Sequence, residues 1–236
     1  MKINTLMNFA TAICALAFAG IVSATPNIYH VVVWNGAPNG VNSSTLADQA
    51  HTPTGAAFAS FDFTSSLAGG GIDWLAPGPQ NTTPAGNLFG TFLINGSVSN
   101  FSSGVSLASF LLTSMSIDGD AYASYFQITG QYFGAGTAGY LTNITHDDGA
   151  SLYIDGSTAF SSASETSAVT DSVTMTDAVG LHSFVLDYVE GNGSPSQLTI
   201  DFPRGAPQIT VPEPATLALI GIGLAGIGFG RRRKVC

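Results

Sequence analysis

The sequence predicts an all-β protein, an antiparallel β-sandwich, and three observations support this. Aromatic and β-branched residues alternate with polar residues over short runs, a period typical of strands with one buried face. Turn sequences such as AGGG at 68–71 and EGNGSPS at 190–196 separate these runs. No long run between the two ends of the chain shows the 3.6-residue apolar period of a helix.

Nine segments fit the strand pattern. In 183–189, Phe184, Leu186 and Tyr188 form an apolar face, and the residues between them form a largely polar one. We predict that this strand and 198–202 form an antiparallel hairpin, and that the Ser/Thr/Ala-rich stretch 157–170 is a long loop. The predicted strands are 28–34, 57–63, 88–94, 122–129, 140–145, 151–154, 172–175, 183–189 and 198–202.

The N-terminal segment, residues 1–24, has the features of a secretory signal peptide. Lys2 precedes an apolar run from 6 to 22, and Val22-Ser23-Ala24 supplies small residues at a cleavage site. A buried core helix is the alternative, but it rarely combines a charged start, an apolar centre and a small-residue exit. We therefore expect the mature chain to begin after residue 24.

The C-terminal segment, residues 209–236, has three parts in order. Pro212, Glu213 and Pro214 precede sixteen apolar or small residues, 215–230, which are followed by the cations Arg231, Arg232, Arg233 and Lys234. The apolar run is shorter than the ~20 residues usual for a membrane-spanning helix. The basic cluster predicts that its end stays on the cytoplasmic side, so we expect a short hydrophobic helix here.

This tail resembles the PEP-CTERM sorting signal of Gram-negative bacteria that make extracellular polysaccharide. The resemblance implies that an exosortase in the inner membrane is a processing partner and cleaves near Pro-Glu-Pro. The protein would then be anchored transiently in the inner membrane and end as a secreted or cell-surface protein. A plain C-terminal membrane anchor is the alternative, and both place the working part outside the cytoplasm.

The span between the two terminal segments, residues 25–208, is long enough for one sandwich domain. It is strongly acidic, since Arg204 is its one basic residue against fourteen Asp and Glu, a formal charge of about −13. Such a surface disfavours nucleic acid and anionic lipid as partners. Cys14 and Cys236 both lie in the terminal segments, so stability must come from a packed core rather than from disulfides.

The stretch THDDGASLYIDG, residues 145–156, places two adjacent aspartates directly before a strand. Asp147 and Asp148 either hold a cation or form a turn with Gly149, because Asp side chains accept backbone N–H bonds and Gly tolerates positive φ. For Asp155-Gly156, and for Asp118-Gly119-Asp120, we predict simple turns. His146, next to the pair, is expected to lie at the surface near this turn.

The order of motifs over 122–202 resembles the PA14 family and its relatives among yeast flocculins and adhesins. Residues 72–78 resemble the earlier part of that family only loosely. The matching elements are Thr129-Gly130 after an aromatic strand, Gly139-Tyr140, Asp147-Asp148-Gly149, Leu152 to Gly156, Gly180-Leu181-His182, Tyr188 with Glu190, and Leu198 to Phe202.

The resemblance implies a calcium ion held by Asp147 and Asp148, with sugar hydroxyls completing its coordination. Two neighbouring carboxylates repel each other, and a hard cation that takes 6–8 oxygen ligands offsets this repulsion. Lectin-like members carry an asparagine where this chain has Glu190, and Asn192 lies two residues further on. Glu190 and Asn192 are therefore the predicted ligand-binding residues of the second loop.

No recognisable catalytic motif surrounds the four histidines, and adjacent carboxylates do not provide the ~5–9.5 Å separation that glycoside hydrolysis needs. We predict a non-enzymatic, calcium-dependent carbohydrate-binding or adhesin-like module linked to exopolysaccharide or biofilm. Its predicted partner is an extracellular glycan. A structural matrix protein without a specific ligand is the alternative, and a carbohydrate-active enzyme is a remote one.

Overall fold

The computed structural model describes residues 27–36, 38–39, 46–67, 69–76, 87–115, 123–134, 140–175, 178–191 and 195–202. These lie within one compact unit, Pro26–Ala206. Its strands are β1 (Ile28–Asn35), β2 (Ala59–Ser65), β3 (Ile72–Ala76), β4 (Gly96–Ser103), β5 (Ser124–Gly134), β6 (Tyr140–Asp147), β7 (Ala150–Ile154), β8 (Ser157–Ser162), β9 (Val169–Met175), β10 (Gly180–Glu190) and β11 (Ser196–Ile200).

The strands form two antiparallel sheets. Sheet A has seven strands in the order β4-β2-β1-β5-β10-β7-β8, and sheet B has four in the order β3-β11-β6-β9. The described residues also form three short helices between strands: a 3-10 helix (Ala47–Ala50), α1 (Phe89–Phe92) and α2 (Leu107–Leu111). The all-β prediction is confirmed.

Aromatic side chains from both sheets and from α1 fill the main core. Phe126 on β5 lies 6.1 Å from the Trp74 ring of sheet B, 5.6 Å from Phe92 and 5.6 Å from Tyr188 on β10, measured between ring centroids. All four side chains are fully buried. Offset and edge-on aromatic contacts of this kind add to the free energy of burial.

A smaller core lies on the outer face of sheet A, where the 3-10 helix covers the sheet. The members of this cluster are Trp34, Ala47, Ala50, Ala123, Tyr125 and Val189.

The same helix buries Asp187 of β10, which the alternating pattern placed on a largely polar face. Its Oδ2 lies 2.9 Å from Nδ1 of His51. Burial is the main cause that raises the pKa of Asp187 to about 8, while the Gln127 side chain lowers it and the charge of Asp48 raises it. A strand pattern cannot reveal a helix from elsewhere in the chain that covers the second face.

Most predicted strands are confirmed, with ends that shift by a few residues. The largest extensions are at β5 and β10, which run together through an eleven-residue antiparallel pairing. The start of the predicted strand at 122 lies outside the described residues, as do Asp118, the signal peptide and the C-terminal segment. Within the described ranges, no helix has the length and apolarity needed to cross a membrane.

The predicted strand at 88–94 is wrong, because this segment forms α1. Phe89 and Phe92 are both buried, and their i, i+3 spacing places both on one side of a helical turn. Thr91 Oγ1 accepts a hydrogen bond from the backbone N–H of Leu88 at 3.1 Å. Over so short an apolar run, packing rather than periodicity decides between helix and strand.

The predicted loop at 157–170 is also wrong. Its first part forms β8, which pairs with β7 across the two-residue turn Asp155-Gly156. Both turn residues have positive φ, 48° and 79°, which is the conformation expected of a tight hairpin and confirms the turn prediction. Serine-rich strands such as β8 lack the apolar alternation that marks a half-buried strand. Strands β3 and β4 were missed as well.

The predicted hairpin of β10 with β11 is wrong, since the two strands belong to different sheets. β10 lies between β5 and β7 in sheet A, and β11 lies between β3 and β6 in sheet B. Both strands do bury the apolar faces that the sequence indicates. Two strands that face each other across the core show the same alternation as two that are hydrogen-bonded neighbours.

We expect Phe126→Ala to lower the free energy of unfolding by about 3–5 kcal/mol, since it removes a buried ring at the centre of the aromatic core. Urea denaturation of residues 25–208, which hold both core clusters, measures the change. Leu181→Ala is the control, because Leu181 is 62% exposed, and it should change stability little. Equal effects for the two variants would contradict this description of the core.

Candidate functional site

The candidate site lies at the end of the sandwich where the chain passes twice between the sheets. Asp147 ends β6 in sheet B, and β7 of sheet A begins at Ala150, so Asp148 and Gly149 make the first crossing. Glu190 ends β10 in sheet A, and the chain returns to sheet B at β11, which makes the second crossing. The two crossings bring the predicted residues Asp147, Asp148 and Glu190 together.

Asp148 joins three backbone segments. Its Oδ2 accepts a 2.6 Å hydrogen bond from the N–H of Gly191, and its Oδ1 accepts a 3.3 Å bond from the N–H of Thr166. The residue is 1% exposed, and its φ is +21°, in the region that L-residues rarely adopt. A buried carboxylate that receives two N–H donors stabilises such a backbone, so the Asp148 side chain fixes the loop geometry.

Gly149 allows the β6–β7 crossing to pack against the segment that follows β8. A Cβ atom at this position would lie 2.1 Å from the carbonyl oxygen of Ala163, much closer than a real contact. The carbonyl of Gly149 accepts a 2.9 Å bond from the N–H of Val189. The glycine of the Asp-Asp-Gly motif is therefore required by a close approach of two backbones.

Asp147 is the more exposed aspartate of the pair. Burial and the charge of Asp148 raise the pKa of Asp147 to about 6, although backbone N–H bonds from Asp148 and Ala168 and the nearby His146 lower it. Its carboxylate therefore carries less than a full charge near pH 6.

Glu190 lies beneath the loops, 1% exposed, in contact with Tyr188. The Tyr188 hydroxyl is 3.0 Å from Glu190 Oε2 and 2.5 Å from the backbone oxygen of Asp147. The Tyr188 hydroxyl donates to both oxygens and so links the start of the second crossing to the first. Burial, and then the charge of Asp148, raise the pKa of Glu190 well above its usual value, although the hydrogen bond from Tyr188 lowers it.

His146 lies under the aspartate pair and is fully buried, so the expectation of a surface histidine is wrong. Nδ1 lies 2.5 Å from the backbone oxygen of Asp148, and Nε2 lies 3.1 Å from Oδ2 of Asp171 on β9. The ring of His146 therefore connects the backbone of the aspartate loop to β9.

Histidine contacts with aspartate recur in the described part of the chain, which contains no Lys or Arg. The four pairs join different strands or loops, and their nitrogen to oxygen distances are 2.6–3.1 Å. They are His30 with Asp62, His51 with Asp187, His146 with Asp171, and His182 with Asp155.

The structure brings together three of the four predicted site residues, Asp147, Asp148 and Glu190. The fourth, Asn192, lies outside the described residues. The residues of the predicted sorting signal also lie outside them: Pro212, Glu213, Pro214, Arg231, Arg232 and Arg233. Within the described ranges, no three His, Cys, Asp or Glu side chains are arranged to hold a metal ion. The role of Thr166 could not be predicted from the sequence, because nothing in a Ser/Thr-rich segment indicates which backbone N–H will reach a distant carboxylate. Tyr188 was identifiable from its spacing, two residues before Glu190 on the same face of β10.

Residues 210–234 match the PEP-CTERM protein-sorting motif. The match confirms the sorting segment that the sequence predicts at 209–236. The chain therefore carries the sorting signal of a secreted, cell-surface protein, and this motif implies processing by an exosortase.

Solved structures with a similar fold include two PA14 domains. One is described as a PA14 sugar-binding domain from an RTX adhesin, with 20% identity and a TM-score of 0.48, and the match covers 75% of this chain and 89% of that one. The other is the PA14 domain of the antifreeze protein MpAFP, with 16% identity and a TM-score of 0.46 over 75% of this chain and 82% of that one.

A β-glucosidase from Kluyveromyces marxianus is also similar, with 11% identity and a TM-score of 0.28, over 73% of this chain but 18% of that one. The comparison with curated proteins found no match.

We expect Glu190→Gln to change the pH dependence of stability. The pKa of Glu190 is raised in the folded state, so its contribution is fully present below the unfolded value near 4.5 and is lost as pH rises toward the folded value. Glutamine cannot lose a proton. Thermal unfolding should therefore show similar stability of variant and parent at pH 4 and a more stable variant at pH 8.

The difference should grow with pH by at most about 1.4 kcal/mol per unit, the limit for one proton. Leu181→Ala is the control, because the exposed Leu181 side chain does not titrate, and its curve should stay parallel to that of the parent. Parallel curves for Glu190→Gln as well would show that Glu190 is ionised in the folded protein.

Proposed function

We propose that the sandwich is a calcium-dependent carbohydrate-binding, adhesin-like module of an exported surface or matrix protein, linked to exopolysaccharide or biofilm. The observation that carries the proposal is the concentration of Asp147, Asp148 and Glu190 at one end of a domain whose described part has no Lys or Arg. His146 is the one basic side chain described in contact with this loop. A divalent cation is a natural complement to such a site.

The donor chemistry fits calcium. Asp147 and Asp148 offer carboxylate oxygens, the ligand type that calcium prefers, and each oxygen can accept more than one partner. Asp147 is the more exposed of the two, and the charge of its neighbour raises its pKa, which a bound cation would reverse. Asp147 and Asp148 would hold the ion, and Glu190, which accepts a hydrogen bond from Tyr188, would support the loop from beneath.

The position of the site also suits presentation of a ligand. The described chain begins at Asn27 and ends at Phe202, and the Phe202 ring packs 5.7 Å from that of Tyr29 at the start of β1. Both rings pack against Phe184 of β10, and Glu190 lies six residues further along that strand, about 20 Å away. A tether at either chain end therefore leaves the acidic loops facing outward.

Export and attachment follow from the two terminal segments. In this proposal the signal peptide is removed after residue 24, and the C-terminal segment holds the chain in the inner membrane of a Gram-negative cell. The exosortase then cleaves near Pro212, Glu213 and Pro214, and Arg231, Arg232 and Arg233 remain on the cytoplasmic side.

The second candidate is a structural matrix protein without a specific ligand, and one observation favours it. The Asp148 carboxylate already receives N–H bonds from Thr166 and Gly191, so it stabilises the loops without an ion. A carbohydrate-active enzyme stays a remote alternative, since adjacent aspartates are poorly placed as an acid and base pair.

Calorimetric titration of residues 25–208 with calcium separates the first two candidates. We expect a saturable heat for the parent chain and at least a tenfold weaker affinity for Asp147→Asn, which keeps the shape but removes one charged ligand. Asp62→Asn on β2 is the control, because it removes the same charge outside the loops. Absence of any calcium signal in the parent chain, with folding verified by circular dichroism, would refute the calcium site.

Calcium affinity should also depend on pH. Because the pKa of Asp147 is about 6, the carboxylate gains a proton as pH falls from 7 to 5, and the proton competes with the cation. We expect weaker calcium binding at pH 5 than at pH 7. Equal affinities would show that Asp147 is not a ligand.

A glycan array then tests the sugar. The parent chain should bind a subset of glycans in calcium and lose them after chelation, and Asp147→Asn should bind fewer glycans than the parent in calcium. Glycan binding that survives chelation would contradict a bridging ion while leaving a carbohydrate-binding function in place.

A further inference from the structure

We propose that copies of this chain associate edge to edge through sheet A, with β4 pairing to β4 and β8 pairing to β8 of neighbouring copies. This inference does not depend on glycan binding. It rests on a contrast between the edges of the two sheets and on the distribution of charge along the chain.

The outer strands of sheet A are β4 and β8, each hydrogen-bonded to one neighbour among the described strands. An edge strand offers backbone N–H and C=O groups to a further strand. Most β4 side chains are exposed, and so are Ser157, Thr158 and Ser161 of β8. Neither strand contains proline or a charged residue, the side chains that usually prevent edge pairing.

The edges of sheet B differ. β3 carries Asp73 and β9 carries Asp171, so pairing of either edge with its own copy would bring carboxylates into the new interface. Like charges opposite each other on neighbouring strands are destabilising. The edge strands of sheet B thus carry charged residues that oppose self-pairing, and the edge strands of sheet A carry none.

The charge distribution identifies a second copy as the partner. Residues 25–208 have a formal charge of about −13, yet 74–117 contain no Asp, Glu, Lys, Arg or His. This 44-residue stretch includes β4. Two acidic molecules repel each other over most of their surfaces, and the uncharged edges are where they can approach at the lowest electrostatic cost.

The geometry limits the strength of the association. A bulge interrupts the β2–β4 pairing between Ser60 and Asp62, and Asn100 opposite it has φ of +50°. The regular part of β4 available to a partner is therefore Gly96–Ser99. A ladder of this length buries little surface, so the association is weak and concentration-dependent.

Two open edges on one sheet predict open-ended assembly rather than a closed dimer. A two-fold pair at β4 leaves both β8 edges open, and each can pair with another copy. The result is a row of molecules joined by a continuous sheet. This arrangement places the loops of Asp147 and Asp148, which lie at the strand ends, along one or both margins of the row.

Sedimentation velocity of residues 25–208 over a range of concentrations tests the proposal. The parent chain should show species larger than a dimer at the highest concentrations, and added salt should strengthen the association by screening the net charge. Ser97→Glu blocks the β4 edge and Thr158→Glu the β8 edge. Each single variant should stop at a dimer, and the double variant should remain monomeric.

Thr174→Glu is the matched control, since it adds the same charge at an exposed position of β9 on the edge of sheet B. It should associate as the parent does, and circular dichroism checks that all variants fold. A parent chain that stays monomeric at every concentration and salt would overturn the proposal. Loss of association in Thr174→Glu equal to that in Ser97→Glu would overturn it too.

Discussion

The packing of Phe126, Trp74 and Tyr188 between the two sheets is the interaction on which the rest of the structure depends. The span 25–208 contains no cysteine, and Arg204 is its one Lys or Arg residue, so neither disulfides nor a network of Lys and Arg ion pairs can hold the sheets together. Aromatic burial supplies the stabilising free energy instead. Tyr188 also places its hydroxyl between Glu190 and the backbone of Asp147, so the core directly positions the candidate site.

Protonation takes the place that basic side chains occupy in most domains. Burial raises the pKa of Glu190 and Asp187, and a neutral carboxyl group acts as a hydrogen-bond donor where a carboxylate would need a cation. Among the described residues, each of the four histidines contacts an aspartate. A protein with this composition gains solubility from its acidic surface. Where carboxyl groups are buried, a raised pKa favours the neutral form and so lowers the free-energy cost of burial.

The sequence was most informative where a pattern reflects one physical cause. Alternation located the strands that pack against the core, such as β10, because side chains on one face of a strand recur every two residues. Alternation did not predict structure that depends on contacts with distant parts of the chain. Such contacts make α1 a helical turn, pair the polar strand β8 at the edge of sheet A, and place β10 and β11 in different sheets that face each other across the core. At the candidate site, Asp147, Asp148 and Glu190 were found, but the pinning of Asp148 by Thr166 depends on a fold that brings residue 166 to residue 148.

The placement of both described chain ends at one end of the sandwich has a mechanical consequence. A load applied between Phe202 and the acidic loops runs nearly parallel to the strands. Antiparallel hydrogen bonds lie perpendicular to that direction, so the bonds that flank β11 on both sides share the load and must break together. Strands loaded in this way resist force far better than strands peeled apart one bond at a time.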